Sequence, residues 1–299
     1  MLCYINYKRI NKPLNIPNLE VEIGFGRGDF IVKLAKENPE KNFFGIELSQ
    51  ISVEKLIKRV EKENLKNIYC TCIDAYWGFF LLFKDNYIEN IYMNYPDPWF
   101  KKRHRKRRLT TPERLYIFAK KLKLRGEIRI RSDNYEFIEF TKESAEGLEC
   151  FEIEEGILVI KEPITKYENK WLSMGRTLYK LILRKFKEPK FIPHPTLEEV
   201  VELFPVKVKA KKLKIKDLEN KEFKLDEEVY FKTFKIWQRE ESYLVESLLS
   251  ERGYLQKFFI QIKKKDNGYV IDVSPYSEAL RTKNLQKSIN KVTEIISGS

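Results

Sequence analysis

Residues 19–29, LEVEIGFGRGD, decide how the chain is read. Leu19 to Ile23 is apolar and strand-like. Gly24, Gly26 and Gly28 then form a G-x-G-x-G turn. A helix follows, with Phe30, Ile31, Leu34 and Ala35 on one face. Strand, glycine turn and helix in that order open an α/β unit. Glycine permits a tight turn and close approach of a ligand to the backbone. Taken alone, the turn could serve NAD, another nucleotide or no ligand. The dinucleotide fingerprint needs Gly or Ala at position 29, and Asp29 stands there.

The alternation continues downstream. Asn42 to Leu48 reads as a buried strand. Ser49 can cap a helix whose Val53, Leu56, Ile57 and Val60 share a face. Ile68–Ile73 and Ile88–Tyr95 read as further strands. Thr110-Thr111-Pro112-Glu113 opens a helix, with Glu113 placed for a capping box. Glu127–Arg131 is a fifth strand, Asn134–Gly147 a helix, and 150–160 with 177–186 a late antiparallel pair. The expected fold is α/β: a Rossmann-like, mostly parallel sheet ending in that pair.

Ligands of such sheets bind at the carboxyl ends of the strands. Glu22, Glu47 and Asp74 sit there, each a strand-helix unit apart. Glu47 suits a carboxylate accepting from both hydroxyls of a ribose, and Asp74 one accepting from an adenine amino group. Helix capping is the alternative role for acids at strand ends. Together with the glycine turn, the set resembles the class I S-adenosylmethionine-dependent methyltransferases.

The chain has 299 residues, enough for about two domains. Apolar residues make up 42%, which excludes a largely disordered chain. Formal net charge is +13, and Lys101–Arg108, KKRHRKRR, holds seven basic side chains and no acid. A solvated face usually mixes both signs, and seven like charges repel one another unless an anion compensates. Phosphates do so, with counterion release driving the binding. Four scattered cysteines and two histidines give no metal-ligand spacing. The longest apolar run, Tyr76–Phe83, is far short of a bilayer span, and the first ten residues lack a signal-peptide pattern. The expected protein is soluble, cytoplasmic and metal-free. Monomer and homodimer are both open.

After residue 188 the style changes. KEPKFIPHP (187–195) reads as a linker, so 1–188 and 189–299 are the expected domains. Val206–Ile215 alternates apolar residues with Lys, with a slip at Lys211-Lys212 that suggests a bulge. Tyr230–Trp237 and Phe258–Lys264 are strand candidates, and Asp266-Asn267-Gly268 is a hairpin signal. A closing helix places Leu285, Ile289, Val292 and Ile296 on one face. This is a small antiparallel α+β domain. Its Lys-rich strand faces could touch RNA or simply be solvated.

The fourth strand runs into NYPDPWFKKRHRKRRL (94–109). Two prolines hold Asp97 in an extended loop, Trp99 follows, and the basic run begins at once. PDPW with KKRH and KRRL, Arg131-Ser132-Asp133 and Thr165-Lys166-Tyr167-Glu168 together resemble the bacterial tRNA (guanine-N7-)-methyltransferase family, over roughly residues 19–186. Phe100 stands where that family commonly has Pro, and Ser132 where Thr is usual.

The resemblance implies methyl transfer from S-adenosyl-L-methionine to N7 of guanine 46 in the tRNA variable loop. Another S-adenosylmethionine-dependent RNA methyltransferase is the alternative. By motif, Glu22, Gly24, Gly26, Gly28, Glu47, Asp74 and Asp97 match cofactor-contacting positions, and Asp97 also the catalytic one. Lys101, Asp133, Thr165, Lys166, Tyr167 and Glu168 match substrate-binding positions. Arg103, His104, Arg105, Lys106, Arg107 and Arg108 match the RNA-contacting strip. An NAD-dependent oxidoreductase is disfavoured by Asp29. A small-molecule methyltransferase would not need the basic strip, and a non-catalytic RNA-binding protein would not need the four acids.

Overall fold

The computed structural model describes residues 3–298, apart from 11, 161–167, 169–170, 172, 199–204, 211–212 and 266–267. The chain divides into two compact units, Met1–Pro193 and His194–Ser299. The division falls inside the proline-bearing stretch 187–195.

The first unit runs β1 (Leu19–Ile23), α1 (Asp29–Glu37), β2 (Asn42–Glu47), α2 (Gln50–Lys62), β3 (Ile68–Cys72), α3 (Ala75–Leu82) and β4 (Ile88–Asn94). A short 3-10 helix at Lys102–Arg107 precedes α4 (Pro112–Lys121), β5 (Leu122–Ser132), α5 (Tyr135–Glu146), β6 (Phe151–Ile157) and β7 (Tyr179–Lys185). Seven strands lie in the order β3-β2-β1-β4-β5-β7-β6. The first five pair in parallel, and β7 inserts antiparallel between β5 and β6. This is the expected Rossmann-like sheet with its late antiparallel pair. β1 lies between β2 and β4, so the strand order reverses there, and the crevice beyond β1 and β4 is the place for a ligand.

Local chemistry explains the elements. All five residues of β1 are buried, as a central parallel strand requires. Ser49 caps α2 through Ser52 N–H, and Asn134 caps α5 through Phe137 N–H. The capping box expected at α4 does not form. Thr111 is the N-cap and makes no side-chain cap bond, so the third helical residue is Arg114, not Glu113. Thr110 instead bonds the Thr141 hydroxyl on α5 at 2.7 Å. The apolar run Tyr76–Phe83 is largely helix α3, which is buried on nearly every side and so shows no amphipathic period. No helix among the described residues is long and apolar enough to cross a membrane.

The second unit holds β8 (Val206–Val208), β9 (Glu222–Asp226), β10 (Val229–Arg239), β11 (Ser242–Glu251), β12 (Tyr254–Lys265), β13 (Gly268–Val273) and α6 (Lys283–Ser297). Its six strands form an antiparallel sheet in the order β8-β13-β12-β11-β10-β9. Leu285, Ile289, Val292 and Ile296 of α6 share one core with Phe231, Val245, Phe258 and Ile260 of the sheet. The strand expected over Val206–Ile215 shortens to Val206–Val208, and Ile215–Leu218 is a 3-10 turn. The proposed slip at 211–212 and the first two residues of the 266–268 turn lie outside the described residues. β9 and β11 were not foreseen.

Candidate active site

The glycine turn sits at the β1–β4 switch point. Gly24 and Gly26 have φ of 72° and 52°, and a β-carbon built on either would project into open space. Both line the cavities described below, so the turn leaves its backbone bare towards a ligand. Gly28 shares the positive φ, at 76°, and differs in its surroundings. A β-carbon there would meet Leu56 Cδ1 at 2.6 Å, so glycine lets α1 start hard against α2.

Glu47 ends β2 and is tied to this turn. One oxygen accepts from Gly26 N–H at 3.0 Å, and the other from Leu48 and Ser49 N–H at 2.8 and 3.0 Å. A carboxylate has about four acceptor positions, so one remains beside the Gly26 bond. Asp74 follows β3, caps α3 through Tyr76 N–H, and takes a two-pronged bond from Arg114 at 3.0 and 2.9 Å. Asp74 is thus both a helix cap and a cavity-lining acid. The Arg114 fork fixes its plane and leaves one acceptor position on Oδ2.

Two acids two residues apart on β1 behave oppositely. Glu20 is buried, but Lys41, Tyr92 and Asn90 all donate to it. Burial pushes its carboxyl up, and those hydrogen bonds more than reverse the effect, holding it below the usual range. Glu22 is equally buried; Asn94 Nδ2 donates to it at 3.0 Å, and the Ile31 N–H also favours its charged form. Its Oε2 is buried without a hydrogen-bond partner. Burial pushes this carboxyl up to about 7, against the lowering from Asn94 and Arg131. An unsatisfied acid at the mouth of a glycine turn is a site waiting for a donor or a cation.

The loop after β4 is held in an unusual shape. Tyr95 and Trp99 have φ of 55° and 45°, a region costly for bulky side chains. The structure over-determines both. Tyr95 N–H bonds Arg131 O, its hydroxyl donates to Glu168 at 3.0 Å, and its ring packs on Trp171 at 4.8 Å. Trp99 N–H donates to Asp97 Oδ1 at 3.0 Å, and the Arg107 guanidinium lies 5.1 Å over the Trp99 ring. Asp97 is exposed and its other oxygen has no partner among the described residues.

The basic strip divides into two jobs. Lys101, Arg103, Lys106 and Arg107 are exposed, His104 and Arg105 half-buried. Arg105 pairs with Glu136 at 2.8 Å. Arg108 departs from the expectation of RNA contact. It is fully buried, donates to Pro98 O at 2.7 Å and Glu136 at 3.2 Å, and lies 4.6 Å over the Phe140 ring. It anchors the PDPW turn to α5.

Glu168 also departs from its expected place. It is buried and accepts from Tyr95 and Arg131 through one oxygen, so it props the loop. Asp133 is half-buried, with Oδ2 accepting from Arg176 at 2.8 Å. Thr165, Lys166 and Tyr167 lie outside the described residues.

One cavity of about 400 Å³ is lined by Gly24, Gly26, Glu47, Asp74, Asn94, Asp97, Trp99 and Arg114. A second, of about 550 Å³, holds Glu22, Arg27 and Asp29. The two share Gly24, Gly26, Asn94 and Tyr95. The glycine turn, the strand-end acids and the proline-framed aspartate therefore border one continuous region.

A family model described as "Putative methyltransferase" matches residues 17–181. The tRNA (guanine-N(7)-)-methyltransferase of Aquifex aeolicus is 76% identical over 99% of this chain and 100% of its own length. The chain belongs to the tRNA (guanine-N7-)-methyltransferase family. A further relative so named, from Thermotoga maritima, is 32% identical over 92% of this chain and 88% of its own. Among solved structures, a 30S ribosomal A1408 methyltransferase from an uncultured bacterium aligns with TM-score 0.43 and 23% identity, over 57% of this chain and 89% of that one.

In this methyltransferase, Asn94 and Arg114 line the candidate cavity, and the sequence reading missed both. Asn94 closes β4 two residues beyond Tyr92, the partner of Glu22, and reaches back to Glu22 through its amide, a position the strand-end argument reaches but had applied only to acids. Arg114 gives no local signal, because only the fold brings α4 to Asp74.

Proposed function

We propose that the chain transfers the methyl group of S-adenosyl-L-methionine to N7 of guanine 46 in the variable loop of tRNA, giving 7-methylguanosine, in the cytoplasm. The observation that carries this reading is Asp97 bordering the same cavity as Glu47 and Asp74, with the exposed cations Lys101, Arg103, Lys106 and Arg107 following it closely in the chain.

The donor set fits the cofactor. The bare turn at Gly24 and Gly26 admits a ligand against the backbone, and Glu22 Oε2 is an orphaned buried acceptor suited to a cationic amino group. Glu47 and Asp74 each keep one acceptor position, for one ribose hydroxyl and an adenine amino group. When bound, S-adenosylmethionine supplies a methyl group activated by its positive sulfur.

Guanine N7 has a free lone pair at neutral pH, so its attack needs no prior loss of a proton. No strong general base is required. The protein must instead hold the attacking nitrogen in line and place negative charge where the base becomes cationic. Asp97 serves both needs through its unpaired oxygen, while the Trp99 N–H fixes its rotamer. Asp133 is the acceptor suited to guanine N1–H and N2–H, the edge that separates guanine from adenine. The target base leaves its stack to reach the cavity, with the Trp99 ring as its receiving surface. Lys101, Arg103, Lys106 and Arg107 hold phosphates and so give affinity without base choice.

The test is incubation with methyl-labelled S-adenosylmethionine and, separately, tRNA, ribosomal RNA or a small-molecule extract. Label in tRNA as 7-methylguanosine is expected. Label confined to ribosomal RNA favours the wider class of RNA methyltransferases, and label in small molecules alone refutes the reading.

A further inference from the structure

The second unit has a sheet face that its core does not use. Along β12, Tyr254, Gln256, Phe258, Ile260 and Ile262 are buried, and the alternate residues point the other way. Cross-strand register sorts that other face into rows. One row reads Arg239, Ser242, Lys263, Val270 and Lys207. The next holds Trp237, Leu244, Gln261 and Asp272, and the next Glu246 and Phe259. Lys232, Leu248 and Lys257 follow. Cations therefore flank the central rows on both sides. The acids Glu246 and Asp272 lie in the central rows.

Those central rows carry an aromatic pair. Trp237 and Phe259 meet with ring centroids 5.6 Å apart, and they are 47% and 37% exposed. The exposure of Trp237 is built in. Val229, Phe231 and Thr233 of β10 are buried, so strict alternation would also turn residue 237 into the core. The register shifts between Thr233 and Ile236, which gives Ile236 to the core and turns Trp237 out. A face needing only to be wet has no use for an indole exposed by a bulge. Lys257 and Lys263 have no ion-pair partner among the described residues, whereas Lys232 pairs with Glu222 at 3.4 Å.

Aromatic faces between rows of cations are the physical recipe for unpaired nucleic-acid bases. The rings stack on any base, and the cations follow the phosphates on either side. We propose that this open sheet face binds a single-stranded segment of the substrate RNA, stacking its bases on Trp237 and Phe259 while Lys257 and Lys263 meet phosphate. The identity of that RNA as tRNA rests on the function proposed above; the stacking surface does not.

The experiment uses the full chain and two probes, an unstructured adenosine oligoribonucleotide and tRNA. Trp237→Ala with Phe259→Ala should weaken oligonucleotide binding by about fivefold or more, the minimum for losing one stacked base. Trp237→Phe with Phe259→Tyr should restore most of it. Lys257→Gln with Lys263→Gln should lower the slope of log K against log salt by about 0.7 per lysine. Melting temperature and methyl transfer at saturating tRNA should stay near wild type while KM for tRNA rises. Unchanged affinity and salt slope in folded variants overturn the proposal, as does sedimentation showing that the two rings are the contact between copies of the chain. A protein that binds the oligonucleotide through these residues yet methylates no tRNA would refute the proposed substrate and leave the surface standing.

Discussion

Glu22→Gln keeps the shape of the one unsatisfied acid at the glycine turn and removes its charge. Without cofactor, burial holds the folded carboxyl at about 7, against the ordinary 4.5 of a glutamate in the unfolded chain. Between those values the native state keeps a proton that the unfolded chain has released. Stability therefore falls as pH rises through this window and levels off above it. A gap of roughly 2.5 pH units at about 1.36 kcal/mol each gives about 3 kcal/mol in full. Glutamine does not titrate and can keep the bond from Asn94. The variant should match wild type at pH 4.5 and be more stable at pH 8, by up to about 3 kcal/mol. Denaturant melts of the cofactor-free protein at both pH values measure this. The same substitution should cost affinity for S-adenosylmethionine. Wild-type affinity should weaken below pH 7 by up to about tenfold per unit as the acid takes up its proton, and the variant's should be flat. Identical pH profiles for the two proteins, in melts and in cofactor titrations, would refute the reasoning.

The loop and the strip give three further expectations. Asp97→Ala should lower kcat by about a hundredfold or more while tRNA Kd moves little, as measured by single-turnover kinetics and filter binding; equal losses in both would remove Asp97 from the chemistry. Replacing Arg103, Lys106 and Arg107 together by Gln should weaken tRNA binding and flatten its salt slope by about 2 to 3, with binding isotherms across a salt series as the check. Arg108→Met should act differently, destabilising the fold by about 1–3 kcal/mol through the unpaired Pro98 carbonyl and the lost anchor to Glu136, with melting temperature as the measure.

Most of the first unit was legible because its signals are local. The period of two or of 3.6 marks β1, α1 and α2, a short continuous apolar run marks β2, and caps such as Ser49 and Asn134 mark where helices begin. Helix α3 was hidden because it is apolar all round, so burial erased its period. In the second unit, β11 was hidden for a related reason. Its outward Leu244 and Leu248 are apolar like its core residues, and no alternation survives. The acids of the site could be placed from strand ends alone. Their partners could not, because Arg114 reaches Asp74 only after α4 folds back beside α3. Arg108 and Glu168 show the opposite failure. Both sit in motifs that read as substrate contact, and both are buried props for the loop. A charge run in a sequence does not say which of its members turns inward.

The central claim is that this cavity delivers a methyl group to one nitrogen of one tRNA guanine. The most direct measurement is chain cleavage specific for 7-methylguanosine, applied to a tRNA transcript after reaction and to the same transcript with guanine 46 replaced by adenine. The account predicts a single cut at position 46 in the first and none in the second. A cut at another position, or label that persists in the second transcript, would contradict it.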